Sequence, residues 1–249
     1  MKPVVNIKNV TIKYDETNEN ILDNVNCQIN EGDFIAIVGK SGVGKTTLFR
    51  SLVKSLDIES GTIEIFGQNI YKISKKEWKS ILGKIGFLTQ KPLLIPTENV
   101  YSNITRSINK YKNWFYKLFY ILTKKQKENI FKQLDNLGIL RKCFTRVDEL
   151  SGGEAQRVEI AKILVNNSKL ILADEPTSSL DEQTSVEVFK LLKEISVNNN
   201  VTIIAIMHNL DLSLELFDKI IVVSNKKMQM YNKGKITKDE ILKQIVLDA

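Results

Sequence analysis

Apolar residues along this chain fall mostly into short, dense runs separated by longer polar or amphipathic stretches. Val4 to Tyr14 and Asn26 to Ile29 carry strand-like patterns around a polar loop, Asp15 to Asn20. Phe34-Ile-Ala-Ile-Val38 is apolar throughout and rich in β-branched residues, the pattern of a strand buried on both faces. Lys45 to Leu56 then reads as a helix, and Gly61 to Phe66 and Ile85 to Leu88 as strands. From Pro92 to about Val147 the pattern turns polar, aromatic and helical. Helix Glu154 to Asn166 follows, and apolar strands return at Leu170 to Ala173, Val201 to Met207 and Ile220 to Ser224. Asp181 to Val197 reads as a helix with Asp181 near its N-cap. Strands alternating with helices predict an α/β fold with a parallel sheet. We expect one domain over 1–249, with a sheet core formed by 1–91 and 168–249 and an inserted helical subdomain over 92–167.

Composition changes this picture little. The 249 residues suit one large domain or a domain with an insert, and 43% hydrophobic residues allow a substantial core. Cys27 and Cys143 belong to no CxxC or Cys/His cluster, so they read as small buried hydrophobes in a reducing compartment. The start, Met1-Lys2-Pro3-Val4, lacks the apolar core of a signal peptide. The nearest approach to a membrane span, Trp114 to Leu122, is interrupted by Lys117 and is far below the ~20 residues a bilayer requires. The expectation is a soluble or membrane-peripheral chain. Net charge is +7, but Lys, Asn and Ile are abundant throughout and no five basic residues are consecutive. Biased composition explains this better than an anionic partner, so no nucleic acid is expected.

Two stretches carry chemistry. Gly39-Lys40-Ser41-Gly42-Val43-Gly44-Lys45-Thr46 matches GxxxxGK[ST] between a predicted strand and a predicted helix. Glycines let backbone N–H groups converge on phosphate oxygens, and the helix N-terminus adds positive potential. Lys45 would reach the β- and γ-phosphates, the Thr46 hydroxyl would bind Mg²⁺, and Thr47 belongs to the same nucleotide-contacting set. Leu170-Ile-Leu-Ala-Asp174-Glu175 ends a buried strand in two carboxylates, where open α/β sheets bind ligands. Asp174 there can hold Mg²⁺ and Glu175 can polarise an attacking water.

These motifs, with Leu150-Ser151-Gly152-Gly153-Glu154, resemble the ATP-binding cassette of ABC transporters across essentially the whole chain. Glu154 stands where the commoner signature has Gln. The resemblance implies a P-loop NTPase (RecA-like) core, an N-terminal antiparallel β subdomain and a helical subdomain carrying the signature. It implies ATP and Mg²⁺ as ligands. Gln90, after Phe87-Leu-Thr, matches the family's coupling glutamine near the metal, and His208, the chain's one histidine, its γ-phosphate-contacting histidine. Tyr14 matches the adenine-stacking aromatic, and Ser178-Ser-Leu-Asp181 the loop that crosses the dimer interface. Ser151, Gly152 and Gly153 precede a helix and so offer a second anion site. The resemblance implies that two cassettes stack head to tail, each signature contacting ATP on the partner's loop.

Expected partners are a second cassette, most simply an identical one, transmembrane permease subunits, and an extracytoplasmic solute-binding protein in the case of import. The location is the cytoplasmic face of the membrane. The segment's length, Glu98-Asn-Val100 and Met207-His-Asn-Leu-Asp-Leu-Ser-Leu together are similar to phosphonate-type importer ATPases. A lipoprotein-release or efflux ATPase remains an alternative. A chromosome or repair ATPase would need a long coiled coil that is absent here. The dense aromatics of 111–122 could dock on a membrane protein or touch lipid headgroups, but packing within the insert is the expectation for most of them.

Overall fold

The computed structural model describes residues 3–13, 19–109, 111–119 and 121–246, so Tyr14 lies outside the described residues. The chain runs β1 (Pro3–Lys13), β2 (Asn20–Asn30), β3 (Phe34–Val38), α1 (Lys45–Leu52), β4 (Ser60–Ile65), β5 (Gln68–Asn69), α2 (Lys75–Leu82) and β6 (Ile85–Leu88). It continues through α3 (Val100–Ser107), α4 (Trp114–Leu118), α5 (Lys124–Asn136) and α6 (Gly152–Val165). It ends with β7 (Leu170–Asp174), α7 (Glu182–Asn199), β8 (Thr202–Ile206), α8 (Leu210–Leu216), β9 (Lys219–Ser224), β10 (Lys227–Asn232) and α9 (Lys238–Val246).

Two sheets form, with strand orders β2-β1-β4-β5 and β10-β9-β3-β8-β7-β6. The first is antiparallel. The second is parallel from β9 to β6, as the apolar strand runs predict, with β10 antiparallel at its edge. The β9–β10 turn is two residues, Asn225 and Lys226, both at positive φ, which is what a tight hairpin of matching twist requires.

Period-2 alternation divides the central strands between two cores. Phe34, Ala36, Val38, Ile171, Ala173, Ile203 and Ala205 face the helices α3, α5, α6 and α7. Ile35, Ile37, Leu170, Leu172, Ile204 and Ile206 face β1, β2, β4 and α1. Both faces are covered, so the strands read as unbroken apolar runs.

Several expectations need correction. β2 begins at Asn20, inside the segment read as loop, and buries Ile21, Leu22 and Val25. α1 stops at Leu52 rather than Leu56, because Lys54 turns to φ 56. The helices α2, α8 and α9 and the strand β10 were not anticipated. Most of the aromatic segment does not pack inside: Trp114, Phe115, Leu118, Phe119 and Ile121 are exposed.

Candidate nucleotide site

The carboxyl ends of β3, β7 and β8 lie side by side, with Asp174 paired to Ile206 and Ile37 to Ile206. Three loops therefore leave one edge of the sheet together, and they carry Gly39–Thr47, Asp174–Asp181 and His208.

In the first loop the glycines are dictated by space and backbone. A Cβ at Gly39 would lie 2.5 Å from the Val223 carbonyl oxygen, and one at Gly44 would lie 2.6 Å from Ile21 Cγ2. Gly42 and Gly44 have φ of 82 and 109. Gly44 is also the N-cap of α1, and it supplies no side-chain acceptor. By contrast α2, α3, α5, α6, α7 and α8 are capped by Ser74, Asn99, Thr123, Ser151, Asp181 and Asn209. The first N–H groups of α1 thus keep their donors for another acceptor. Thr46 is exposed on its first turn, while Thr47 is half-buried.

Lys45 is only 5% exposed. Its ammonium donates to the Gly39 and Lys40 carbonyls, both at 2.8 Å. It curls under the loop, with two of its three donors engaged. Burial lowers its pKa, opposed by the nearby Glu175 and Asp174 carboxylates. Burial and the Glu175 charge raise the Asp174 carboxyl, against Lys45, His208 and Arg50. Lys45 and Arg50 are thus the lysine and arginine that oppose the build-up of negative charge at Asp174.

Glu175 has φ 49, an uncommon conformation for a non-glycine residue, which turns it out of the β7 pleat. Its Oε1 lies 2.5 Å from His208 Nε2. With Glu175 ionised, the Nε2–H tautomer donates to it. A cavity of about 390 Å³ opens beside this pair, between Thr177, Leu180, Ser185, Met207 and Asn209.

The segment 177–181 ties the edge to its surroundings. The Ser178 hydroxyl donates to the Glu175 carbonyl at 3.0 Å, and the Ser179 hydroxyl to the Gln90 carbonyl at 3.3 Å. Gln90 itself is exposed, just beyond β6. Asp181 accepts from the Thr184 backbone at 2.9 Å and its hydroxyl at 2.6 Å, which holds the carboxyl below its usual range. Its role within this chain is therefore to cap α7.

Gly152 is brought to that segment and Gly153 to the first turn of α7, rather than to Gly39–Thr47. A Cβ on Gly152 would stand 2.7 Å from Leu180 Cδ2, and one on Gly153 2.7 Å from Thr184 Cγ2. Ser151 and Glu154 form a reciprocal capping box at 3.2 and 2.8 Å, with Lys142 3.5 Å from Glu154. This explains the glutamate in the signature: its carboxylate receives the Ser151 N–H and faces a lysine.

The sequence reading missed Glu159 and Lys162 of α6. Lys162 donates to the Leu93 carbonyl at 2.7 Å and to Glu159 at 3.0 Å, fixing the loop after Gln90 to the helix that starts at Ser151. Two charges three positions apart among buried apolar residues were the available signal.

Among the described residues no cluster of three or more His, Cys, Asp or Glu could cage a metal. A Mg²⁺ carried by phosphates needs few protein ligands, and oxygen donors of Thr46, Gln90 and Asp174 stand on the loops and strand end at this edge.

A family model described as ABC transporter matches residues 22–178. A protein described as "Probable ABC transporter ATP-binding protein p29" from Mesomycoplasma hyorhinis is 40% identical over 96% of this chain and 95% of its own length. The phosphonates import ATP-binding protein PhnC of Fusobacterium nucleatum is 36% identical over 98% of both. Among solved structures, cbiO1 of Clostridium perfringens, part of the ABC transporter complex cbiONQ, superposes with a TM-score of 0.84 at 26% identity, covering 99% of this chain and 96% of that one. The cassette MJ0796, dimeric and bound to ADP and Pi, matches with 0.76 at 28% identity, over 93% of this chain and all of that one. The matched span contains the phosphate loop, the signature and the Asp174-Glu175 strand end, and the chain belongs to the ABC transporter family as one of its ATPase cassettes.

Proposed function

We propose that this chain powers solute import, clamping ATP between two head-to-tail copies and hydrolysing it to drive separate permease subunits. The observation that carries the reading is the Glu175–His208 pair, held at the sheet edge beside the uncapped N-terminus of α1. ATP phosphates would lie on the backbone of Gly39–Thr47, with the adenine against Tyr14. Lys45, freed from a loop carbonyl, would neutralise the β/γ oxygens. Thr46, Asp174 and Gln90 would hold Mg²⁺, whose chemistry is to balance charge on the phosphates. Glu175 would take a proton from water, and His208 would both aim that carboxylate and meet the γ-phosphate. Ser151, Gly152 and Gly153 would complete the partner's site, with Asp181 fixing the loop at the interface. In this reading 92–167 is a helical subdomain and the remainder the nucleotide core.

Import, and a phosphonate or other phosphorylated solute, are supported by the phosphonates import relative named above and by Glu98-Asn-Val100. An extracytoplasmic binding protein and attachment at the cytoplasmic membrane face belong to the same reading.

Glu175→Gln tests the chemistry. The amide is isosteric but cannot accept a proton, so turnover should fall ~10²–10⁴-fold while ATP still binds and traps a dimer. Near-normal hydrolysis would remove Glu175 from the role.

A further inference from the structure

We propose that the segment between α3 and α5 is a lipid-contacting foot that rests on an anionic membrane surface. This goes beyond the permease-driven reading, because it gives the cassette a membrane contact of its own.

The argument starts from exposure. Trp114 is 74% exposed, Phe119 57% and Leu118 59%, and Phe115 and Ile121 join them at the surface. The rings pack on each other, Trp114 on Phe115 at 6.3 Å and Phe115 on Phe119 at 4.9 Å, rather than on either core. The two ends are anchored. Ile108 and Leu122 are buried, the Tyr111 hydroxyl donates to the Thr105 carbonyl at 3.2 Å, and Thr123 caps α5. The apolar cluster therefore protrudes from a fixed base.

Charge selects the occupant. No Asp or Glu occurs from Asn99 to Lys127, where the chain's average would give about three. That stretch holds Lys110, Lys112, Lys117, Lys124, Lys125 and Lys127, besides Arg106, whose guanidinium is paired with Glu98 at 2.6 and 2.7 Å. Lys112 sits 5.5 Å from the Tyr116 ring centre, and Lys125 and Lys127 are exposed; Lys124 lies 3.8 Å from Glu128, the next acid along the chain. A protein partner of ordinary composition would meet these lysines with scattered acids. A sheet of anionic headgroups meets them continuously, while Trp and Phe favour the headgroup boundary and lysine stems reach around them.

The test is flotation of the purified full chain with phosphatidylcholine vesicles, with and without phosphatidylglycerol. Binding should require phosphatidylglycerol and weaken with salt. Trp114→Ser/Phe119→Ser should reduce vesicle partition at least about tenfold with unchanged ATPase activity, as should Lys125→Gln/Lys127→Gln. In a Trp78→Phe background, Trp114 emission should shift to the blue on adding anionic vesicles. This readout does not depend on the serine variants folding. The proposal is overturned if wild-type protein ignores anionic vesicles. It is equally overturned if the serine variant binds as well as wild type, which would assign binding to the net +7 charge. Loss of self-association in the serine variant, without any vesicle binding by the wild type, would make the face a protein contact instead.

Discussion

Replacing Lys162 by methionine should cost more than its surface position suggests. The lysine is the cationic half of a nearly buried pair: Glu159 is 5% exposed, and its carboxyl is raised by burial, with Lys162 opposing. Methionine keeps the stem but leaves the carboxylate without a cation and the Leu93 carbonyl without its 2.7 Å donor. Breaking a buried pair by removing one partner typically costs ~3–5 kcal/mol. Protonation sets a ceiling on the charge part. Neutralising a carboxyl of ordinary pKa at pH 7 takes about 3.7 kcal/mol, and less for one already raised. We therefore expect a loss of about 3 kcal/mol at pH 7, or a melting temperature lower by roughly 6–12 °C for a chain of this size.

The sign of the pH dependence follows from the raised carboxyl. A folded-state pKa above the unfolded one gives stability that is present below the unfolded value and lost as pH rises through the folded one. Lys162→Met raises Glu159 further, so the deficit against wild type should be largest near neutrality and shrink as pH falls. Denaturant melts of wild type, Lys162→Met and Glu159→Gln/Lys162→Met at several pH values measure it, and the double variant should recover most of the loss. A deficit that does not change with pH would show that buried charge is not the cause. No deficit at all would show that the pair is open in solution.

Lys45→Ala should abolish the thermal shift given by ATP, which for wild type at a hundredfold excess over Kd is about 2.7 kcal/mol of stabilisation. An unchanged shift would misplace the phosphates. Asp181→Ala should lower the melting temperature at neutral pH by uncapping α7, while Asp181→Asn keeps most of the cap. Because the Asp181 carboxyl is held low, its contribution is present above the unfolded pKa and should fade as pH drops through the folded value. Ser151→Arg should keep ATP binding but lose ATP-driven dimerisation, and mixing it with Lys45→Ala should restore some dimer, since one composite site is then intact. Full activity of Ser151→Arg alone would exclude the head-to-tail arrangement.

Much of the site was legible because its constraints are local. A fully apolar β3, three glycines forced by backbone and clearance, and acids placed after four apolar residues all leave their mark in consecutive positions. What escaped depends on contacts remote in the chain. The strand reading began at Asn26 because Asp23 and Asn24 interrupt the apolar pattern, yet Ile21 presses on Gly44 and Leu22 lies under the same loop. α2 is mostly polar; its readable sign was the Ser74–Glu77 capping box, three residues apart, which was overlooked. The Glu159–Lys162 pair looks like an ordinary i,i+3 surface bridge until the Leu93 loop is laid over it. The aromatics of α4 were expected inside because aromatic density usually marks a core; only the fold shows that Ile108 and Leu122 take the buried places.

The segment from Thr177 to Thr184 explains how one cassette could sense both of its proposed anion sites. It holds the Glu175 carbonyl through Ser178, the Gln90 carbonyl through Ser179, and the start of α7 through Asp181. Its Leu180 and Thr184 press on Gly152 and Gly153, where the absence of a Cβ permits the approach. From the other side, Lys162 of the helix beginning at Ser151 grips Leu93, three residues beyond Gln90. A closed circuit therefore runs from Glu175 through 177–181 to the signature, along α6 to Leu93, and back to Gln90. Packed cores move between discrete arrangements rather than bending smoothly. A shift of the signature against a partner's ATP would thus reach Glu175 by two short mechanical routes, and loosening either one should uncouple partner binding from hydrolysis while leaving the phosphate loop unchanged.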